Sequence, residues 1–312
     1  MAVYTELSRD EIEGLLQNYA IGELNAFHPI AAGIENTNYF IDCDISGEIK
    51  RFVLTVFEAR VNHAELPFFV DLTEHFAYHN IPCPKFLRAK NGVALAKIKG
   101  KDCAIVEFLT GSPVENPTLE NYAELGRMNA KLHLAAQDFK QNKKNDYALQ
   151  KWVSIFAEIG TRADEIEAGL KDLITDELYY LADKWPFALP SGVVHTDLFP
   201  DNIFFQQYHL SGVIDFYFAC NDSYAYDLAI TINAWSIHND AKKTQSFMDG
   251  YNAIRQLTNI EIEHMNTLHR GACMRFLITR LYDWFNTPEG ALVNRKNPQE
   301  YLDKLKYWQN KL

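Results

Sequence analysis

Apolar positions change their rhythm once along the chain, near Thr110. Before it, short runs rich in branched and aromatic residues dominate. SRDE at Ser8 to Glu11 has the form of a capping box and predicts a helix through about Tyr19, with Ile12, Leu15, Leu16 and Tyr19 on one face. AAGIENTNYFIDCD and EIKRFVLTVFEA, rich in branched and aromatic residues, predict two strands joined by a turn at Ser46 and Gly47. HAELPFFVDLTEHFAYHN places Leu66, Phe69, Leu72 and Phe76 at helical spacing and stops before the IPCP turn. VALAKI and DCAIVEFL predict further strands, and GSPVENP then supplies a run of chain breakers.

Beyond that break the periodicity is helical. ENYAELGRMNAKLHLAA sets Tyr122, Leu125, Leu132 and Ala136 along one face, and similar patterns recur from Trp152 to the carboxyl end. The runs VV, IFF and GVI are too short for helices and are broken by Pro200 and Gly212, so they predict short strands with loops between them. The expected fold class is α+β, with a small β-rich region at 1–109 and a larger, mostly helical region at 110–312.

Composition adds constraints. At 312 residues, 47% hydrophobic and 23% charged, the chain suits a globular protein of two regions. A formal charge of -11, from 41 acidic and 30 basic residues, disfavours nucleic acid and anionic lipid surfaces as partners. The basic cluster KQNKKND at residues 140–146 interleaves no aromatics and reads as a solvated loop. Five cysteines without a CxxC pair fit a reducing compartment, and MAVYTELSRDEIE lacks the apolar run of a signal peptide, so a cytoplasmic location is expected.

The chemistry concentrates in HTDLFPDNIFFQQYHLSGVIDF, residues 195–216. If IFF and GVI pair as neighbours, the loop before the first strand and the end of the second approach each other. That brings Asp197, Asn202 and Asp215 together. Two carboxylates at close range repel unless one is protonated or a cation lies between them. Mg²⁺ takes carboxylate and amide oxygens beside substrate phosphates, which suits Asn202 and Asp215 as ligands. Asp197 then remains as the base that accepts a proton from an attacking hydroxyl. Taken singly, each residue has a plainer reading: Asp197 as a turn cap, Asn202 as an Asx turn and Asp215 as a strand end.

HTDLFPDN with the later VIDF resembles the catalytic and metal-binding segments of the aminoglycoside phosphotransferase and choline kinase superfamily, a branch of the protein-kinase-like fold. AGIENTNY, FVLTVFE, AIVEFLTG, ELGRMNAKLH, YDLA and MRFLITRLYDW extend the likeness to the homoserine kinases of that superfamily, in order and over almost the whole chain. The resemblance implies a two-lobed enzyme that transfers the γ-phosphate of ATP to the hydroxyl of L-homoserine. In it Asp197 is the catalytic base, Asn202 and Asp215 hold Mg²⁺, and His195 orients the loop. Asp227, at the start of DLAITINAW, reads as a helix N-cap that buttresses the loop. His133 reads as structural, and Asp222 and Tyr224 either border the acceptor or form a surface turn.

On the nucleotide side the resemblance points to Gly33, Asn36 and Asn38 for the phosphates and to the backbone of Glu107 to Leu109 for the adenine. The chain has Thr55 where the superfamily often has a lysine, and Glu65 and Glu74 are the nearest helix glutamates to such a position. An amino-acid acceptor needs a cation for its carboxylate, and Arg275 and Arg280 are the candidates, ~140° apart around one helix. Other acceptors of the superfamily (an aminoglycoside, a choline-like alcohol or a sugar) and a nucleotide-binding regulator without turnover are the alternatives.

Overall fold

A computed structural model describes residues 4–30, 36–58, 62–287 and 295–311. The chain divides into two compact units, 1–112 with 211–217, and 113–210 with 218–312.

Unit 1 opens with α1 (Arg9–Leu16), where Ser8 and Glu11 form the expected capping box. Five strands follow: β1 (Glu23–Pro29), β2 (Thr37–Ile45), β3 (Glu48–Val56) and, after α2 (Leu66–Tyr78), β4 (Leu95–Ile98) and β5 (Lys101–Glu107). They form one sheet in the order β1-β2-β3-β5-β4, with every pair antiparallel. The β2–β3 hairpin turns at Ser46 and Gly47, both with positive φ (57° and 90°), the backbone a two-residue turn of matching twist requires. Ile41, Leu54, Val56 and Ile105 from this sheet and Ile12 from α1 are buried in one core.

Strand β1 has no counterpart in the sequence reading. Its burial pattern lacks clean alternation, and its register with β2 shifts between Leu24 and Ala26, as at a bulged edge strand. A period-two search is blind to such a strand.

Unit 2 contains α3 (Leu119–Ala135), α4 (Leu149–Ile159), α5 (Leu170–Lys184), β6 (Ser191–Val194), β7 (Ile203–Gln206), β8 (His209–Val213, which runs on into unit 1), β9 (Cys220–Ser223), α6 (Tyr224–Ala234), α7 (Ala241–Asn252), α8 (Asn259–Asn286) and α9 (Gln299–Gln309). VV and IFF lie in strands, GVI enters one as far as Val213, and β7 and β8 are neighbours in a two-stranded sheet. Helices α3 and α7 meet backbone to backbone: a Cβ on Gly126 would lie 2.1 Å from the Phe247 carbonyl oxygen, and one on Gly250 2.1 Å from that of Ala123.

Helix α6 is buried from Tyr224 to Asn233, so its polar residues need internal partners. The Asn129 amide donates to Thr231 Oγ1 at 2.9 Å, and Asn233 donates to the His269 carbonyl at 3.1 Å while accepting from Trp308 Nε1 at 2.8 Å. The hydrophobic core around it gathers Trp152, Tyr226, Leu277, Leu281 and Tyr301.

Three features differ from the sequence reading. Ser211–Tyr217 belongs to unit 1, not to a continuous second region. Ser211 donates to the Thr110 carbonyl, the Val213 N–H donates to Pro82, and the Tyr217 ring meets Phe57 and Phe69 edge-on. The basic segment 140–146 is a loop exposed at Lys140, Gln141, Asn142, Lys144 and Asp146, as expected, but it is also anchored: the Lys143 N–H donates to Asn221 Oδ1, the Asn221 N–H to the Lys143 carbonyl, and Asn145 to Asp222. Finally, α6 is capped by Ser223, whose hydroxyl accepts from the Tyr226 N–H, so Asp227 lies inside the first turn and is not the N-cap. No described helix is long and apolar enough to cross a membrane.

Two buried histidines make folding sensitive to acid. Burial, aided by nearby cations, lowers His238 from an ordinary value near 6.5 to about 4. Burial and the neighbouring His238 lower His269 to about 3. Between about pH 6.5 and those values the unfolded chain binds protons that the folded chain does not, so stability falls as pH falls, by ~1.4 kcal/mol per pH unit for each group. Urea unfolding at about pH 7, 6 and 5 should show this decline, and His269→Gln should remove about one proton from its slope. An unchanged slope in that variant would refute the assignment.

Candidate active site

The loop between β6 and β7 carries the motif residues. Asp197 is half-buried and Asn202 is buried. The Asn202 amide nitrogen donates to the Asp197 carbonyl oxygen at 2.8 Å and to Asp197 Oδ2 at 3.1 Å. Its nitrogen is therefore committed to the aspartate, and the amide oxygen is the atom left to ligate a cation. The Asp197 N–H donates to His195 Nδ1 at 3.2 Å, which makes that nitrogen an acceptor and puts the ring proton of neutral His195 on Nε2.

Between His195 and Asp197, Thr196 has φ +60°, a left-handed conformation unfavourable for a β-branched residue. It is completely buried and its polar groups are all engaged. The N–H donates to Asp227 Oδ1 at 2.5 Å, the hydroxyl donates to the Phe218 carbonyl at 3.0 Å, and the carbonyl accepts from Arg275 Nη1 at 3.1 Å. Trp235 Nε1 adds a bond to the Leu198 carbonyl at 2.8 Å.

Asp227 is held from behind. His133 and Asp227 are both fully buried, with His133 Nε2 3.0 Å from Asp227 Oδ2. His133 Nδ1 lies 2.9 Å from the Tyr251 hydroxyl, and Arg255 Nη1 donates to that same hydroxyl at 2.8 Å. Burial holds His133 below its ordinary value, against the pull of Asp227, so the ring is neutral. One set of roles satisfies every group: Arg255 donates to Tyr251, Tyr251 donates to His133 Nδ1, and His133 Nε2–H donates to Asp227. Arg255 is anchored in turn by buried Glu261 at 2.8 Å.

The other predicted residues have the following places. Asp215 is in unit 1, half-buried, with φ +65°, and its charge adds to the burial that raises the Tyr217 hydroxyl. Gly33 lies outside the described residues. Asn36 accepts the Glu58 N–H at 3.3 Å, and Asn38 accepts from the hydroxyl of Thr55 at 2.7 Å. The Glu107 N–H donates to the Lys85 carbonyl at 2.9 Å, and Leu109 follows β5 half-buried. Glu74 pairs with Arg88. Asp222, which accepts from Asn145 at 2.6 Å, is raised above the ordinary carboxylate value by burial, and Tyr224 stacks on His133. Arg280 pairs with Glu300 at 2.6 Å and donates to the Asn297 carbonyl.

One buried carboxylate with a partly exposed lysine partner was not foreseen. Glu58, just after β3, accepts from Thr5 and Thr37 at 2.7 Å each and from Lys101 on β5. Burial would raise its carboxyl, but Lys101 and the two hydroxyls outweigh that and hold it below the ordinary value. The sequence signal was only a glutamate ending an apolar strand.

The phosphotransferase enzyme family matches residues 26–259. The chain belongs to that family. It is similar to a homoserine kinase of Xanthobacter autotrophicus (45% identical, covering 99% of this chain and 96% of that protein) and to one of Paramagnetospirillum magneticum (45%, 99% and 97%). Among solved structures it resembles the amicoumacin kinase hAmiN in complex with AMP-PNP, Ca²⁺ and Ami, with a TM-score of 0.70, 12% identity, and 98% of this chain and 93% of that one covered. It also resembles the spectinomycin phosphotransferase APH(9)-Ia in complex with ADP and spectinomycin (0.69, 14%, 98% and 94%). At such identities these structures speak to the fold, which is protein-kinase-like and α+β.

In this phosphotransferase, replacing Asp227 by Ala leaves the buried Thr196 N–H and His133 Nε2–H without an acceptor. Asp227→Ala should therefore lose about 2–5 kcal/mol of unfolding free energy in urea titration. A wild-type midpoint would show that the pair of bonds does not hold the fold.

Proposed function

We infer that this chain is a homoserine kinase, an enzyme that transfers the γ-phosphate of ATP to the side-chain hydroxyl of L-homoserine and forms O-phosphohomoserine, an intermediate of threonine synthesis. Near-full-length identity of 41–45% to curated homoserine kinases carries this reading. The hydrogen-bonded Asp197–Asn202 pair is its chemical support.

Asp197 is the proposed catalytic base. Its carboxylate orients the acceptor hydroxyl and takes its proton as the oxygen attacks the γ-phosphorus. The new P–O bond forms as the bond to the β,γ-bridging oxygen breaks, and ADP leaves with that electron pair. Asn202, through its amide oxygen, and Asp215, through its carboxylate, are the proposed ligands for Mg²⁺; both are hard oxygen donors of the kind it prefers. When bound, that ion supplies neutralisation of phosphate charge. His195 supports the loop through the bond from the Asp197 N–H. Asp227 supports it through Thr196. Asn36, Asn38 and Gly33 are proposed for the phosphates and the Glu107 to Leu109 backbone for the adenine.

Arg275 and Arg280, the candidates for the acceptor's carboxylate, lend this reading no direct support in their present contacts. Arg280 is paired with Glu300, and Arg275 is 3% exposed with its Nη1 on the Thr196 carbonyl. Homoserine is favoured by the relatives and not by these side chains.

Asp197→Asn should fold normally and lose roughly 10²-fold or more in kcat, the scale of a positioned general base. Near-normal turnover would reject the role. ADP release in the presence of ATP and Mg²⁺, compared across L-homoserine, serine, threonine, choline and an aminoglycoside, checks the acceptor. Homoserine should be turned over fastest, and background release with homoserine alongside turnover of another alcohol would contradict the reading.

A further inference from the structure

Arg275 is a buried cation in an unusual setting. It sits in the middle of α8, 3% exposed, and no carboxylate among the described residues is within ion-pair distance of it. Aromatic rings surround it: its guanidinium carbon lies 4.9 Å from the ring centre of Phe276, 5.4 Å from Tyr147 and 5.9 Å from Phe218. Cation–π attraction offsets part of the desolvation of such a charge. The described hydrogen bond it donates goes to the Thr196 carbonyl.

That carbonyl belongs to the peptide group joining Thr196 to Asp197. A bond to it constrains the plane whose other end is the Asp197 nitrogen, and so the direction in which the Asp197 side chain leaves the backbone. The preceding peptide is held through the Thr196 N–H by Asp227. The two bonds lie on opposite sides of one strained residue, and together they over-determine its left-handed φ.

We propose that Arg275 is a positioning residue for phosphoryl transfer, gripping the Thr196 carbonyl so that the carboxylate of Asp197 is presented to the acceptor hydroxyl, and that it does not bind the acceptor's carboxylate. This rests on the phosphotransfer reading and adds a residue to it. Misplacement of a reacting group by about 1 Å costs on the order of 10²-fold in rate, which sets the expected scale.

The test is steady-state ADP release by full-length Arg275→Met and Arg275→Lys, with kcat and KM separated for L-homoserine at saturating ATP and Mg²⁺, and with enzyme concentration taken from the folded fraction. The expected result for Arg275→Met is a kcat lowered by roughly 10- to 100-fold with the acceptor KM within about twofold of wild type. Arg275→Lys, which keeps the charge and a donor, should fall in between. A KM raised about tenfold or more with kcat little changed would make Arg275 a carboxylate ligand and overturn the proposal. So would an unchanged kcat per folded molecule, the outcome of a purely structural role. If Arg275→Met does not fold, the same split measured on Arg275→Lys decides between these outcomes. Should the wild-type protein phosphorylate a different alcohol, the homoserine reading falls, and the split measured on that alcohol still judges Arg275.

Discussion

The loop that carries Asp197 depends on a carboxylate that touches no solvent. Asp227 is fully buried, and an isolated charge there would be untenable. It is tolerable because the Thr196 N–H and His133 supply its bonds. Behind His133 the chain of donors runs through Tyr251 to Arg255 and ends on Glu261, so the negative charges at its two ends flank a single guanidinium. Removing any member leaves a buried donor or acceptor stranded, which is why the segment from α3 to α8 acts as one support.

That support is directed at a place where the backbone is least comfortable. A β-branched residue at φ +60° persists only when its surroundings hold it, and the groups of Thr196 are bound to α6, to α8 and to the chain at Phe218. Rigidity of this kind has a use in phosphoryl transfer, where the protein contributes mainly positioning and electrostatics. The residue being positioned is the next one along the chain, Asp197, already tied to Asn202 by its own side chain.

Much of the fold could be read from the chain, because most elements follow simple rules. Branched and aromatic residues marked β2 and β3, helical spacing marked α2 and α3, and the Ser8–Glu11 box marked the start of α1. The motif residues were visible because HTDLFPDN and VIDF are dense in chemistry over a short span. What escaped depends on contacts distant in sequence. The two arginines of α8 looked equivalent, yet Arg280 is answered by Glu300 and Arg275 by a carbonyl of the β6–β7 loop. Asp227 looked like a cap because nothing local distinguishes capping from burial, and Ser223 was the better-placed oxygen. The loop at 140–146 is solvated as its composition suggests, but its anchoring at Lys143 and Asn145 was not visible because the partners lie on β9.

Amide hydrogen exchange on the ligand-free wild-type protein addresses the central constraint directly, since it reads the Thr196 N–H that Asp227 holds. If the loop is locked, that amide should exchange only through opening events close in free energy to global unfolding, as core helices do. Exchange at the rate of an exposed loop amide would mean that the grip on Thr196 is not maintained in solution, and the positioning of Asp197 would need another source.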